Sequence, residues 1–499
     1  MPEQNESPLP LLSRDLSWVD FNERVLDEGL NKDLPLLERL RFISIVTSNF
    51  DEFFMVRVAA LKRALGANTT DPSGINPAQQ LKEIARKAHD ILKKQSDCMK
   101  YEIFPGLEKG GLKLLRPDSY SVPQMDYLES FFINQIYPVL APLRMEEDRP
   151  MPFIESRAIH AAFLLIQENP QEPAENQSEE KSAEQIIIVQ LPKVFSRIIW
   201  LPEQDDEKGK LCWALLDDVA LTWGAYLFPG YRIKESMLFK INRDADFSVD
   251  EKRDEDFVEA MEEVLEGRGK SEVVRMVCSS GSVRIRDELA RRFSLETDDL
   301  YEFDSPVNTI DFLELANVVG FEEMQEKPWK IQSAAAFSDE TPIWDRIRQG
   351  DVMLHLPYQS FDPVIRFFEE AAADPEVVSI KTALYRTGGA IPGIGITSGS
   401  SSYSPVVRAL EQAALNGKHV TAVVELKARF DEERNISWAN RLEKAGVIVV
   451  YGLSRLKVHA KVTMIMRREF DRIKRYVHVS TGNYNYNTAK YYEDICLFT

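Results

Sequence analysis

The order of apolar and polar positions divides the chain into three stretches of different periodicity. In residues 1–110 apolar positions recur at helical spacing, first in DLPLLERLRFISIV and again in EFFMVRVAALKRAL. Between these runs TSNFDEFF pairs Ser48 with Asp51 and Asn49 with Glu52, the spacing of a capping box. That spacing predicts one helix ending near Thr47 and another starting near Phe50. A third helix, over roughly 77–103, is expected after the turn-rich TTDPSGINP. Residues 111–335 mix periods. IIIVQLP, RIIWLP and SMLFKINR read as strands, and DEDFVEAMEEVLEGRG reads as an acidic helix stopped by glycine. The polar, proline-containing stretch 168–185 reads as a disordered surface loop.

From about residue 336 strands and helices alternate. EVVSIKTALYR is a strand, and Ser404-Pro405 supplies an N-cap and first-turn proline for a helix running to Asn416-Gly417. HVTAVVELKA, VIVVYG, LKVHAKVTMI and YVHVS are further strands, with the helix DEERNISWANRLEKAG among them. Such alternation implies a mainly parallel sheet with ligands at the carboxyl ends of its strands. The expected organisation is therefore multidomain α/β. It comprises a helical domain (1–110), an α+β middle domain (111–335) and an α/β domain (336–499). In LKVHAKVTMI, Leu456, Val458, Ala460, Val462 and Met464 alternate with Lys457, His459, Lys461 and Thr463. On a strand this puts an apolar face inward and His459 beside Lys461 on the other face.

Bulk properties narrow the function classes. A chain of 499 residues exceeds the size of one core and should form several domains. No apolar run reaches the roughly 18 residues of a membrane span, and the first residues do not resemble a secretion signal. Four scattered cysteines without paired spacing argue against a disulfide framework or zinc site and fit a reducing cytoplasm. A net charge of −19 argues against general affinity for nucleic acid. Against that background Arg455–Arg475 holds eight Lys or Arg, a basic island able to focus an anionic substrate.

The candidate chemistry lies in the same region. His459 can act as a nucleophile or proton carrier, and Lys461 supplies a neighbouring charge. Arg386 and Arg429, at or after strand ends, offer planar forks for phosphate oxygens. Asn483, in the Gly-Asn turn of STGN, can orient a ring nitrogen or a phosphate oxygen. A nucleophile amid fixed cations is what phosphoryl transfer requires.

The chain resembles the bacterial polyphosphate kinases that make long-chain polyphosphate from ATP. The resemblance rests on RDLSWVDFNERVL, LPLLERLRFISIVTSNFDEFFMVRVAALKR, FKINRDADF, HLPYQSFDPV, IKTALYR, VELKARFDEERNISWANRLEKAGV, KVHAK, STGNYN and TAKYYED. The last blocks also resemble the phospholipase D-like superfamily, so the third domain is expected to be phospholipase D-like. The resemblance implies that His459 takes up the phosphoryl group and that Asn49 and Tyr492 contact ATP. It also implies that Arg386 and Arg429 serve a magnesium–phosphate site. A guanidinium has no lone pair to give a metal, so these two are expected to hold phosphate oxygens whose other lone pairs bind Mg²⁺. ATP, ADP and inorganic polyphosphate are the implied partners. A homo-oligomer built through the first two regions is implied as well, in the cytoplasm, with association at a membrane surface left open.

The chain departs from the family pattern in two ways. It carries a single His-x-Lys, where phospholipase D-like sites pair two, and it stops at DICLFT. It therefore reads as a truncated polyphosphate kinase lacking its last domain, whose activity alone is in question. TGGAIPGIGITSGSSSYS, residues 387–404, is longer than the family's usual turn and reads as a disordered insertion. Two alternatives to the kinase stand beside it: a phospholipase D-type phosphodiesterase, and a non-catalytic fragment that binds nucleotide or partners.

Overall fold

The computed structural model describes residues 11–499, except 67–69, 147–148, 169–183, 204–208, 246–270, 305, 338–340, 387–403, 427–431 and 453–456. The acidic helix expected at 254–269, nearly all of the 168–185 loop and the 387–404 insertion thus lie outside the described residues. The chain divides into two compact units, Met1–Phe247 with Gly267–Glu326, and Ser248–Glu266 with Lys327–Thr499. Among the described residues no helix is long and apolar enough to cross a membrane.

In the first unit, helical periodicity produces the helices Arg14–Leu30, Leu36–Phe53 and Pro77–Cys98, the last begun by a capping box at Asn76. The break expected within TSNFDEFF is absent. The helix runs on through a π-helical turn, Phe54–Val58, into Ala59–Arg63. Tertiary partners explain this. The Asp51 carboxylate accepts from Lys240 Nζ at 2.9 Å to each oxygen and from Asn242 at 3.2 Å. Asn49 Nδ2 donates to Asn22 Oδ1 at 2.9 Å. Side chains engaged elsewhere do not cap.

A six-stranded sheet in the same unit follows the order Pro142–Arg144, Gln185–Gln190, Ile159–Gln167, Tyr231–Arg243, Val273–Ser279, Leu300–Phe303. Strand Ile159–Gln167 is buried on both faces: Ala161, Phe163 and Leu165 join one core, and Ala162 and Leu164 the other. This is why its sequence reads as an unbroken apolar run rather than an alternation.

The second unit places the candidate site. Its elements are α1 (Ile343–Arg348), β1 (Val352–Leu356), α2 (Asp362–Ala373), β2 (Val377–Leu384), α3 (Pro405–Leu415), β3 (His419–Val424), α4 (Glu432–Lys444), β4 (Ile448–Tyr451), β5 (Lys461–Glu469), β6 (Arg472–Ser480) and β7 (Asp494–Phe498). As expected, Ser404 caps α3, its Oγ accepting from Val407 N, with Pro405 in the first turn. The seven strands lie in the order β1-β7-β6-β5-β2-β3-β4. Parallel pairing is confined to β2-β3-β4, and the other four contacts are antiparallel. The multidomain α/β fold is present, but this sheet is mixed rather than mainly parallel, because β5 and β6 form a hairpin and β7 returns beside β6. Val364, Phe367, Val407, Leu410 and Leu442 from the helices pack with Ile380, Val420, Ala422, Ile465 and Phe498 of the sheet.

The stretch LKVHAKVTMI becomes a strand only from Lys461, so His459 precedes it. The buried positions are also the reverse of those expected. Lys461, Thr463 and Ile465 are buried, whereas Val462 and Met464 are half-buried. The Thr463 hydroxyl is satisfied inside the core. It donates to Tyr484 Oη at 2.9 Å and lies 2.7 Å from Thr382 Oγ1, its cross-strand partner.

Candidate active site

Strand register brings distant segments to one edge of the sheet. Thr382 of β2 faces Thr463 of β5, Lys461 faces Ser480 of β6, and Ser480 faces Cys496 of β7. Because these pairings are antiparallel, the carboxyl ends of β2 and β6 lie beside the amino ends of β5 and β7. The carboxyl end of β3 joins them, since Leu384 faces Val424. Arg386 therefore leaves the sheet where the segment bearing His459 enters it.

Tyr385 is the hub of this edge. The His459 ring meets it edge-on, with centroids 4.8 Å apart and planes at 75°. Lys461 Nζ stands 5.0 Å from the Tyr385 centroid, and Arg386 Cζ 5.6 Å from it. Both cations are within range for cation–π attraction. His459 is exposed, while Lys461 is only 4% exposed and folds back so that Nζ donates to the His459 carbonyl at 2.7 Å. The two side chains thus do not stand side by side on a strand face.

The electrostatics follow from this packing. Partial desolvation, then the charges of Lys461, Arg386 and Lys457, hold the His459 imidazole below its ordinary pKa. Its neutral, lone-pair-bearing form is favoured near pH 7. Burial lowers Lys461 to about 8, with Asp494 opposing and Arg386 adding to the shift. The ammonium keeps its proton near neutrality and loses it above.

The remaining candidates fall as follows. Asn483 lies three residues beyond β6, half-buried, with a buried Oδ1 that has no hydrogen-bond partner. Tyr492, 49% exposed, lies two residues before β7. Both sit on segments joined to the same sheet edge. Asn49 belongs to the first unit, in the interior of helix Leu36–Phe53. Arg429 lies outside the described residues. Among the described residues no group of three or more His, Cys, Asp or Glu could hold a metal. Arg386 suits phosphate oxygens rather than a metal ion.

The basic island is split. Lys457 and Lys461 accompany His459, whereas Arg467, Arg468, Arg472, Lys474 and Arg475 cluster at the far end of the β5–β6 hairpin. Six residue steps of β5, roughly 20 Å, separate Lys461 from Arg467. There Arg467 pairs with Asp374 at 2.8 Å and Glu469 at 3.1 Å.

Sequence reasoning missed Tyr385 and Glu425. The latter, 2% exposed, follows β3 and accepts from Val458 N at 2.8 Å. The available signal was a carboxylate directly after the apolar run HVTAVV.

Comparisons with known proteins extend along nearly the whole chain. Family models match as polyphosphate kinase N-terminal domain over residues 11–115, middle domain over 123–315 and C-terminal domain 1 over 342–499. The chain is 39% identical over 494 residues to the polyphosphate kinase of Halalkalibacterium halodurans, covering 98% of this chain and 66% of that one. It is 38% identical to the polyphosphate kinase of Bacillus cereus, covering 98% and 67% respectively. The crystal structure of polyphosphate kinase from Porphyromonas gingivalis superposes with a TM-score of 0.75 at 27% identity, covering 99% of this chain and 67% of that one. The chain thus spans about two thirds of the length of these relatives. Matching models along its length and this identity to the Bacillus cereus enzyme make the chain a member of the polyphosphate kinase family.

Proposed function

We propose that the protein transfers the γ-phosphoryl group of ATP reversibly to the end of an inorganic polyphosphate chain, with His459 as the relay. A ring nitrogen of His459 uses its lone pair to form an N–P bond as the bond from the γ-phosphorus to the bridging oxygen breaks. ADP leaves with that electron pair. A terminal oxygen of polyphosphate then attacks the same phosphorus, the N–P bond breaks, and the imidazole is regenerated. Lys461 and Arg386, joined by Arg429, neutralise the equatorial oxygens in both steps. Each such contact supplies roughly 2–4 kcal/mol of transition-state stabilisation, by analogy with oxyanion-hole donors. Asn483 orients the ring or a phosphate oxygen. Asn49 and Tyr492 are assigned to the nucleotide, and Mg²⁺ enters as part of the Mg–ATP substrate.

The observation that carries this reading is an exposed imidazole, low in proton affinity, packed on Tyr385 together with one lysine and one arginine. Self-association through the first unit is proposed with it, supported by the exposed Val122 and Met125 of one helix, and so is a cytoplasmic setting. The test is incubation with γ-labelled ATP. Acid-labile, base-stable label is expected on His459 and none on His459→Ala. Polymer synthesis by His459→Ala would exclude the scheme.

A further inference from the structure

Two buried polar side chains tie the segment bearing His459 to the sheet, and neither has a place in the reaction as described so far. Glu425 is held through its backbone. Its N–H donates to Leu384 O at 3.1 Å, extending the β2–β3 ladder by one step. Its carbonyl accepts from Asn435 Nδ2 of α4 at 2.9 Å. The same Asn435 nitrogen donates to Tyr385 O, also at 2.9 Å, so one amide bridges the carboxyl ends of β2 and β3. Asn435 is 3% exposed and Glu425 2%. From this fixed base the Glu425 carboxylate accepts the N–H of Val458, the residue directly before His459.

Residues 457–460 belong to no strand or helix, so no ladder sets their backbone. A carboxylate accepting an amide N–H is a short, strong, directional contact. Here it anchors the backbone one residue from the imidazole. The other end of the dipeptide is pinned by Lys461, whose Nζ donates to the His459 carbonyl. The nucleophile thus hangs between two side-chain hydrogen bonds, while the Asn435 bridge keeps Tyr385, against which the ring packs, in register with Glu425.

We infer that Glu425, supported by Asn435, is a positioning residue that fixes the backbone at Val458 and so aims the His459 ring at the phosphorus. This rests on the phosphotransfer reading for its chemical consequence, and on the Val458–Glu425 contact for its structural content. Reactions of bound groups are sensitive to placement, and a misplacement of about 1 Å can cost about a hundredfold in rate. Glu425→Ala removes the acceptor. Glu425→Gln keeps one acceptor oxygen at the same reach, removes the charge and turns the other oxygen into an amide donor.

Two measurements on the whole protein test the assignment. The first is hydrogen exchange at the Val458 amide, which needs no activity. Protection is expected in the wild type and in Glu425→Gln, and its loss in Glu425→Ala. The second is the rate of label uptake by His459 from γ-labelled ATP. Glu425→Ala should be slower by about 10- to 100-fold, with the KM for ATP changed less than about threefold. Glu425→Gln should recover to within about threefold of wild type. A Val458 amide that exchanges freely in the wild type overturns the inference, as does wild-type label uptake by Glu425→Ala. Equal slowing by Gln and Ala also overturns it, because charge rather than placement would then be the cause. If the wild type takes up no label at all, the phosphotransfer reading fails, and amide exchange still decides whether Glu425 holds the segment. A Glu425→Ala protein that melts earlier yet labels at the normal rate marks the residue as purely structural and overturns the inference too.

Discussion

The Lys461 ammonium donates to the main-chain carbonyl of His459 from a distance of 2.7 Å, in a pocket where burial lowers its pKa to about 8. One cation therefore both shapes the segment that carries His459 and charges its surroundings. Lys461→Met should slow label uptake from ATP by about 10²- to 10³-fold, the scale of losing one oxyanion-type donor. Lys461→Arg, which keeps the charge but not the shape, should recover only part of that rate.

The two shifted groups define a pH profile. Protonated imidazole has no lone pair to offer, so label uptake should rise with pH through a value below 6.5, the ordinary histidine value from which His459 is lowered. Above pH about 8 Lys461 loses its proton and the rate should fall. A bell with its maximum near neutrality is expected from single-turnover rates measured between pH 5 and 9.5, with the basic limb absent in Lys461→Met.

His478 predicts acid sensitivity of the second unit. It is fully buried, with Nδ1 2.9 Å from Tyr484 Oη, and burial pushes its pKa down to about 3. Above the ordinary value of 6.5 both folded and unfolded chains are neutral there, and the full stability is present. As pH falls from 6.5 towards 3 only the unfolded chain takes up the proton, so stability declines by up to about 1.4 kcal/mol per pH unit from this group. Urea midpoints measured between pH 7 and 4.5 should follow that slope, and His478→Gln should flatten it. In the first unit His160, lowered by burial to about 4, acts in the same direction.

Thr463→Val keeps the shape at the centre of β5 and removes the hydroxyl shared by Thr382 and Tyr484. Leaving those buried groups short of a partner should cost about 1–3 kcal/mol. Thermal denaturation should show a midpoint lower by about 2–4 °C for each kcal/mol lost.

Asp51 sits 2.9 Å from the buried ammonium of Lys240 and 3.7 Å from the Arg275 guanidinium. Asp51→Leu should destabilise the first unit by about 3–5 kcal/mol, because the opposite charges stay buried without their counter-ion. The double variant Asp51→Leu with Lys240→Met should recover much of the loss in urea unfolding.

Local signals carried most of the second unit. Ser404-Pro405 begins α3 as expected, and β2, β3, α4 and β4 fall within the segments whose periodicity announced them. His459, Lys461 and Arg386 were legible as a cluster because each ends or borders an apolar run, and register then brings those ends together. Signals that depend on distant partners misled. The polar Thr463 looked outward-facing, yet Thr382, 81 residues earlier, and Tyr484 satisfy its hydroxyl inside. TSNFDEFF looked like a cap, yet Lys240 claims Asp51 from 189 residues away. Glu425 stood out only as a carboxylate after HVTAVV, and its role was hidden for the same reason, since its partner is a backbone amide 33 residues on.

The position of β7 has a consequence for how the protein is made. Among the described residues strand β1 hydrogen-bonds to no other strand than β7, although almost 140 residues of synthesis separate Leu356 from Asp494. As the ribosome delivers the chain, β1 emerges before the other strands of this sheet, its edge unpaired until β7 slides between it and β6. The sheet edge that carries His459 is completed in that same step, because β7 begins at Asp494, whose charge acts on Lys461. Contacts this distant in sequence slow folding. A nascent chain halted before β7 therefore carries the histidine without its completed surroundings.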